Sequence, residues 1–387
     1  MFLTILSCHY GGGHRRVAEV IAEEWTAQVG GRVEVIDYFA RFASPRFAAQ
    51  TRFWYYQTVR FAPKIQEHYY NYMGRIPPDS RFRRAVNRQG MENLERYLEA
   101  ARPDVVCGVH WTFAGTLSDL KGAGRTAVPC LTVITDYVSH GEWLHPHMDR
   151  YAVAHPEMRD GLVASGVPAE RIIVSGMPIA RKFGPSLDRA QLMARLGLTP
   201  GVPVVLAMAG ADAAVGRLRD VAAVLAQFPR PIQALLVCAN APRLADQIRR
   251  LTARSPHRVQ VSGFVDNVEE LMTVGDVLIT KAGGVTVSEA LVKRLPMLFY
   301  GSIPGHETSN ARFLSRQGAA LEAATPAELR RRLEDLLAHP EHLAAMREAA
   351  GRLARPDAAR VVVMDLARLA VEADPARRAS LATAAPP

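Results

Sequence analysis

Short β-branched runs separated by longer amphipathic stretches recur along almost the whole chain, and they come in two series. "FLTILS" and "RVEVID" flank "HRRVAEVIAEEWTAQVG", in which Val17, Val20, Ile21 and Trp25 fall at helical spacing. "PDVVCGV", "CLTVITD" and "RYAVAH" continue the first series. The second begins after residue 200 with "PVVLAMAG" and runs through "QALLVCA", "RVQVSGFV", "GDVLITKAGG" and "PMLFYG". Helices are expected between them over 214–227, 241–254, 266–273 and 286–294, and three more at 326–337, 341–354 and 358–373. Strands and helices alternating in this way build parallel sheets covered on both faces. A chain of 387 residues exceeds what one core usually holds, so two open α/β domains are expected. They are placed at 1–180 and 201–355, with a linker over 181–200 marked by Pro178, Gly184 and Pro185. Residues 376–387 read as a frayed, disordered tail.

Composition narrows the class. Hydrophobic residues make up 49% and charged residues 22%, as in a soluble globular protein. No apolar run approaches the roughly 18 residues that span a bilayer. Met1–Ser7 has no basic residue ahead of its short apolar stretch, so it does not read as a secretion signal, and a cytoplasmic location is expected. Cys8, Cys107, Cys130 and Cys238 are widely spaced without a CxxC pair and are expected to be free thiols. Cys8 lies near His9 and His14, but the sequence brings no further ligand cluster to them, so no metal is expected.

The formal charge is +9, and much of it falls in one region. Between Arg41 and Arg96 eleven Arg and Lys residues face only Glu67, Asp79, Glu92 and Glu95. Such a patch calls for an anionic partner. Within it, "QTRFWYYQTVRFAPKIQEHYYNYMG" fits neither strand series and interleaves aromatic residues with Arg52, Arg60 and Lys64. A helical insertion packed on the first domain would explain it, and so would a helix lying at a membrane interface, rings at headgroup depth and cations on anionic lipid. Single-stranded nucleic acid uses the same residue types. No nucleic-acid fold signature accompanies them, and no nucleic-acid partner is expected.

Three glycine-bearing turns follow strands: "SCHYGGGHRR", "AMAGADAAVGRL" and "ITKAGGVTVSEA". Ligands in open α/β sheets bind beyond the strands' carboxyl ends, against helix N-termini, although a glycine there also serves ordinary turn geometry. The third turn says most. Gly283 and Gly284 open backbone N–H groups to an anion, Thr286 and Ser288 add hydroxyls, and Glu289 follows one turn in, where it either accepts from vicinal ribose hydroxyls or complements the helix dipole.

"GGGHRRVAEVI", "VITDYVSHGEWLHPHMDRYAV", "IIVSGMPI", "SGFVDNV" and "KAGGVTVSEALVKRLPMLFYGSIPGHETSNARFL" occur in that order. Together, over about residues 3–325, they resemble the monogalactosyldiacylglycerol synthase and processive diacylglycerol glucosyltransferase group of glycosyltransferase family 28. The resemblance implies a GT-B fold: two Rossmann-like domains with parallel sheets facing a cleft, acceptor side N-terminal, UDP-sugar side C-terminal, and terminal helices crossing back, here 356–375. It implies uracil against the backbone at Phe264 and Val265, ribose at Glu289, and phosphates at Gly283, Gly284 and Thr286, with Gly210 from the earlier turn. Donor-sugar hydroxyls are implied near His306, Glu307 and Asn310. Many relatives read PGQE where this chain has His306, which leaves the sugar open among glucose, galactose, N-acetylglucosamine and a uronic acid. The earlier turn is also poorer in glycine than its relatives', with Ala211 and Asp212.

The resemblance further implies inverting transfer to a diacylglycerol-type lipid, with His14 as general base and Asp136, at the end of "CLTVITD", orienting or charge-stabilising it. Gly11, Gly12 and Gly13 would let the acceptor's polar head approach the backbone. The expected partners are a UDP-sugar, a lipid acceptor and an anionic membrane surface on the inner face of the cell membrane. No cofactor is expected, and the oligomeric state is left open. A polyprenyl-linked or soluble acceptor, a sugar-nucleotide 2-epimerase and a non-catalytic nucleotide-sugar sensor are the competing readings.

Overall fold

The computed structural model describes residues 1–8, 12–61, 63–77, 80–210 and 217–374. It divides into two compact units, Met1–Ala180 with Asp357–Pro387, and Arg181–Pro356.

The first unit holds strands β1 (Phe2–Ser7), β2 (Arg32–Asp37), β3 (Val105–Gly108), β4 (Cys130–Val133), β5 (Arg150–Val153) and β6 (Ile172–Val174). Every pairing is parallel, and the order is β2-β1-β3-β4-β5-β6. The chain thus steps outward from β1 to β2, then reverses to the other side of β1 with β3. All residues of β1, β3 and β4 are buried, as a sheet covered on both faces requires. The helix Gly12–Gln28 lays Val17, Val20, Ile21 and Trp25 on the sheet, and the helix Ala358–Ala373 packs beside it. Arg150, 3.5 Å from the buried carboxylate of Asp365, ties that last helix to β5. The unusual aromatic segment is helical over Pro45–Phe61 and Pro63–Arg75.

The second unit repeats the plan with β7 (Val204–Met208), β8 (Gln233–Val237), β9 (Arg258–Ser262), β10 (Val277–Thr280), β11 (Met297–Tyr300) and β12 (Ala320–Ala323). The order is β12-β11-β10-β7-β8-β9, again all parallel, with the reversal between β7 and β10. Its core is continuous from Val205 and Ile279 through Leu225 and Ile248 to Leu329 and Leu333. The segment 181–200 belongs to this unit and contains the helix Arg189–Arg195, with Leu192 and Met193 buried.

Some elements differ from expectation. The helix expected at 286–294 starts earlier, at Gly284, because Gly283 serves as its N-cap and Gly284 as its first residue. β6 and β12 were not expected as strands. "IIV" is too short for periodicity to register, and "ALEA" lacks the β-branched residues that mark strands. Both are sheet edges held by a single parallel partner.

Candidate functional sites at the two chain reversals

In an open parallel sheet, the two loops at the point of reversal leave in opposite directions and open a crevice at the strands' carboxyl ends. In the first unit that point lies beyond β1 and β3, and the residues there are Cys8, His14 and His110. Gly12 and Gly13 form the opening turn of the helix that carries His14. Gly11 lies outside the described residues. His14 Nδ1 is 2.8 Å from the carbonyl oxygen of Val109 and 3.2 Å from the hydroxyl of Thr135. A carbonyl only accepts, so Nδ1 carries the proton and the lone pair of the neutral ring sits on Nε2. Thr135, which the sequence reading passed over, therefore shares the atom that fixes the tautomer, and Asp136 follows it directly.

His110 was also missed. It caps the helix Trp111–Gly122, its Nδ1 accepting from the Thr112 amide at 3.3 Å. Its ring meets that of His14 edge-on, centroids 4.9 Å apart. Burial, with His14 close by, pushes its pKa well below the ordinary 6.5, so it is neutral. The expectation that no further ligand joins Cys8 and His14 is thereby corrected: the fold brings the buried Cys8 and His110 and the half-buried His14 together. Nothing in the sequence spacing signals this, because β3 reaches β1 only through the reversal.

The Asp136 segment is anchored to the aromatic helices. Arg83 is buried and donates to the carbonyls of Gly141 (2.8 Å) and Met73 (2.9 Å). It is thus a clamp, and the expectation that it belongs to a surface patch is corrected. His140 Nε2 donates to the Tyr70 carbonyl at 2.9 Å, and the two rings stack with centroids 3.9 Å apart. A Cβ on Gly141 would overlap the carbonyl of Gly74, so this close approach needs glycine. The Tyr70 phenol is held neutral by burial and by the nearby Asp136 and Glu142 carboxylates. Outside the clamp, Arg81, Arg84 and Arg88 remain exposed, with Phe53, Trp54, Ile65, Tyr72 and Phe82 at least half exposed. Among the described residues, no helix is long and apolar enough to cross a membrane.

In the second unit the reversal lies beyond β7 and β10, where Gly210 and Lys281–Gly284 emerge. A Cβ on Gly210 would collide with the Lys281 side chain, so the glycine there makes room for the cation. Lys281 pairs with Glu307, whose other oxygen accepts from the Ile303 amide at 2.8 Å. Gly283 lies against the same carboxylate, and Asn310 donates to the Ala282 carbonyl at 3.2 Å. The fold therefore gathers Gly210, Gly283, Glu307 and Asn310 around Lys281. Gly283 offers no side-chain cap, leaving the first amides of Gly284–Val292 open for an anion. Thr286 and the buried Glu289 lie on that helix, and His306 opens the helix His306–Arg316. Phe264 and Val265 follow β9, two strands from β7, or about 10 Å at ordinary strand spacing. Phe264 is 71% exposed, a large ring with little protein over it. Ala211 and Asp212 lie outside the described residues.

One reversal thus carries an imidazole held at Nδ1 by the Val109 carbonyl, and the other a lysine–carboxylate pair two residues ahead of a helix N-terminus without a side-chain cap. Solved structures agree on the fold. MurG from Acinetobacter baumannii is 17% identical with a TM-score of 0.63, covering 95% of this chain and 99% of that one. A UDP-GlcNAc 2-epimerase from Neisseria meningitidis is 13% identical with a TM-score of 0.57, covering 95% and 99%. The monogalactosyldiacylglycerol (MGDG) synthase family profile matches residues 14–179, and the glycosyltransferase family 28 C-terminal domain matches 209–362. Processive diacylglycerol beta-glucosyltransferases of Bacillus cytotoxicus and Bacillus cereus are each 29% identical over 359 residues, covering 93% of this chain and 91% of the relative. The chain carries a monogalactosyldiacylglycerol synthase domain followed by a glycosyltransferase family 28 C-terminal domain, and it is a glycosyltransferase.

Proposed function

We propose that this protein transfers a hexosyl unit from a UDP-sugar to the free hydroxyl of a diacylglycerol-type lipid, with inversion at the anomeric carbon. The first unit takes the acceptor and the second the donor. His14 Nε2 removes the hydroxyl proton as the oxygen attacks and the bond from the anomeric carbon to the UDP oxygen breaks; general-base help of this kind contributes about 10²–10⁴-fold. Thr135 and the Val109 carbonyl keep His14 in the competent tautomer, and Asp136 offsets the imidazolium charge. The leaving diphosphate meets the N-terminus of Gly284–Val292, with Lys281 as counter-ion. Glu289 takes the ribose hydroxyls, the Phe264–Val265 backbone takes uracil, and His306, Glu307 and Asn310 read the sugar. Proton removal and diphosphate neutralisation both fall to protein groups, and no metal enters either role.

The observation that carries this reading is the chemistry at the two reversals, with its single competent ring nitrogen in one and its anion-seeking end in the other. The names of the relatives favour glucose as donor sugar, and a β-product from an α-linked nucleotide sugar is an inversion. The exposed aromatics and Arg81, Arg84 and Arg88 hold the protein peripherally on an anionic membrane face, at roughly 1 kcal/mol per well-placed cation. A screen of UDP release across UDP-sugars, with and without diacylglycerol vesicles, tests the proposal. Release that requires both UDP-glucose or a close analogue and the vesicles is expected. Tight UDP binding without release under any acceptor would make the protein a sensor instead.

A further inference from the structure

We propose that Cys8, His14 and His110 form a binding site for a soft divalent cation such as zinc, and that filling it withdraws His14 from catalysis. The second half rests on the assignment of His14 as base; the first does not. One thiol sulfur and two imidazole nitrogens lie within 4.8 Å of one another. They arrive from three separate places: the residue after β1, the first turn of Gly12–Gln28, and the cap after β3. Thiolate and imidazole are donors that select zinc-like ions over magnesium or calcium.

The geometry is within reach. Bonds of about 2.3 Å to sulfur and about 2.0–2.1 Å to nitrogen set tetrahedral ligand atoms roughly 3.4–3.6 Å apart. Contracting the widest separation by about 1 Å takes side-chain rotations and no movement of the sheet. Three protein ligands leave a fourth position for water, the arrangement of open zinc sites. His14 already has the outer partner that a ligating histidine uses, since its Nδ1 lies 2.8 Å from the Val109 carbonyl, which makes Nε2 the atom that would hold the ion. His110 must give up or reorient one contact, the long 3.3 Å cap to Thr112. Binding expels the thiol proton of Cys8 to solvent. The ion then holds the same Nε2 lone pair that would take the acceptor's proton, so a loaded site cannot act as base.

The test titrates the full-length reduced protein with Co²⁺ in a thiol-free buffer and follows the thiolate-to-cobalt absorption. One saturable ion per chain is expected, displaced by Zn²⁺. Cys8→Ser should abolish the thiolate band and weaken binding by about tenfold or more, as loss of a ligand costs at least what loss of its support does. Cys238→Ser, at a thiol in the other unit, should keep the band. Absence of a saturable band, or a band that survives Cys8→Ser, overturns the site. UDP release should then fall in step with zinc occupancy and return on chelation. Full occupancy with undiminished transfer would leave the site standing and overturn the assignment of His14 as base.

Discussion

Replacing Glu307 with Gln removes the counter-charge of Lys281 while keeping the side chain's shape. The Lys281 side chain is 17% exposed and that of Glu307 3%, so the pair lies within the protein rather than on a solvated surface. Breaking a buried pair by removing one partner costs about 3–5 kcal/mol. Gln still offers an acceptor to the Ile303 amide, and Lys281 keeps some access to water, so Glu307→Gln belongs at the low end, about 3 kcal/mol. Lys281→Met strands the more deeply buried carboxylate and should cost at least as much. Lys281→Met/Glu307→Gln removes both charges, and should be about 2 kcal/mol more stable than the sum of the two single changes. Urea unfolding at neutral pH measures this. Trp25, Trp54, Trp111 and Trp143 all fall in the first unit, so fluorescence follows that unit while far-ultraviolet circular dichroism follows both. The deficit should appear in the dichroism transition alone. Saturating UDP should shrink the Glu307→Gln deficit, because the diphosphate becomes the new counter-ion. Single variants within about 0.5 kcal/mol of wild type, the scale of ordinary surface changes, or strictly additive effects, would refute the reasoning.

Three further outcomes are expected. Gly210→Ala should displace Lys281 and weaken UDP binding, read by calorimetry, with little change in the first unit's unfolding; unchanged affinity would separate Lys281 from the donor. Burial pushes the His145 imidazole down from 6.5 to about 3, and His110 is depressed likewise. The unfolded chain therefore binds more protons as pH falls below 6.5, and stability drops through that window, by about 2 kcal/mol for His145 at pH 5. His145→Gln should flatten the dependence by one proton, measured as urea midpoints at pH 7 and pH 5, and parallel curves would contradict it. Changing the exposed Arg81, Arg84 and Arg88 together to Gln should cut retention on anionic vesicles at least as far as high salt does, whereas unaltered retention would remove these cations from the membrane face.

The fold was legible because each unit repeats one pattern: runs such as "FLTILS" and "PVVLAMAG" are mostly apolar without polar alternation, as strands buried on both faces are. The proposed donor side was readable for a related reason, since Gly283 and Gly284 form one strand-to-helix turn and Glu289 follows on the same helix. What the sequence hid depends on the order of strands. His110 meets His14 only because β3 returns beside β1, and Lys281 meets Gly210 only because β10 returns beside β7. Arg83 was misplaced for a different reason. It sits among Arg81, Arg84 and Arg88 in a run that reads as uniformly basic, and only its two carbonyl partners, from the helix Pro63–Arg75 and from Gly141, distinguish a clamp from a surface charge.

The most direct measurement is a comparison of wild type with His14→Ala, using UDP-glucose and diacylglycerol vesicles. Turnover should fall by about 10²–10⁴-fold, while UDP affinity, governed by the other unit, stays within about twofold, a change of under 0.5 kcal/mol. A His14→Ala protein that transfers sugar at the wild-type rate would contradict the account.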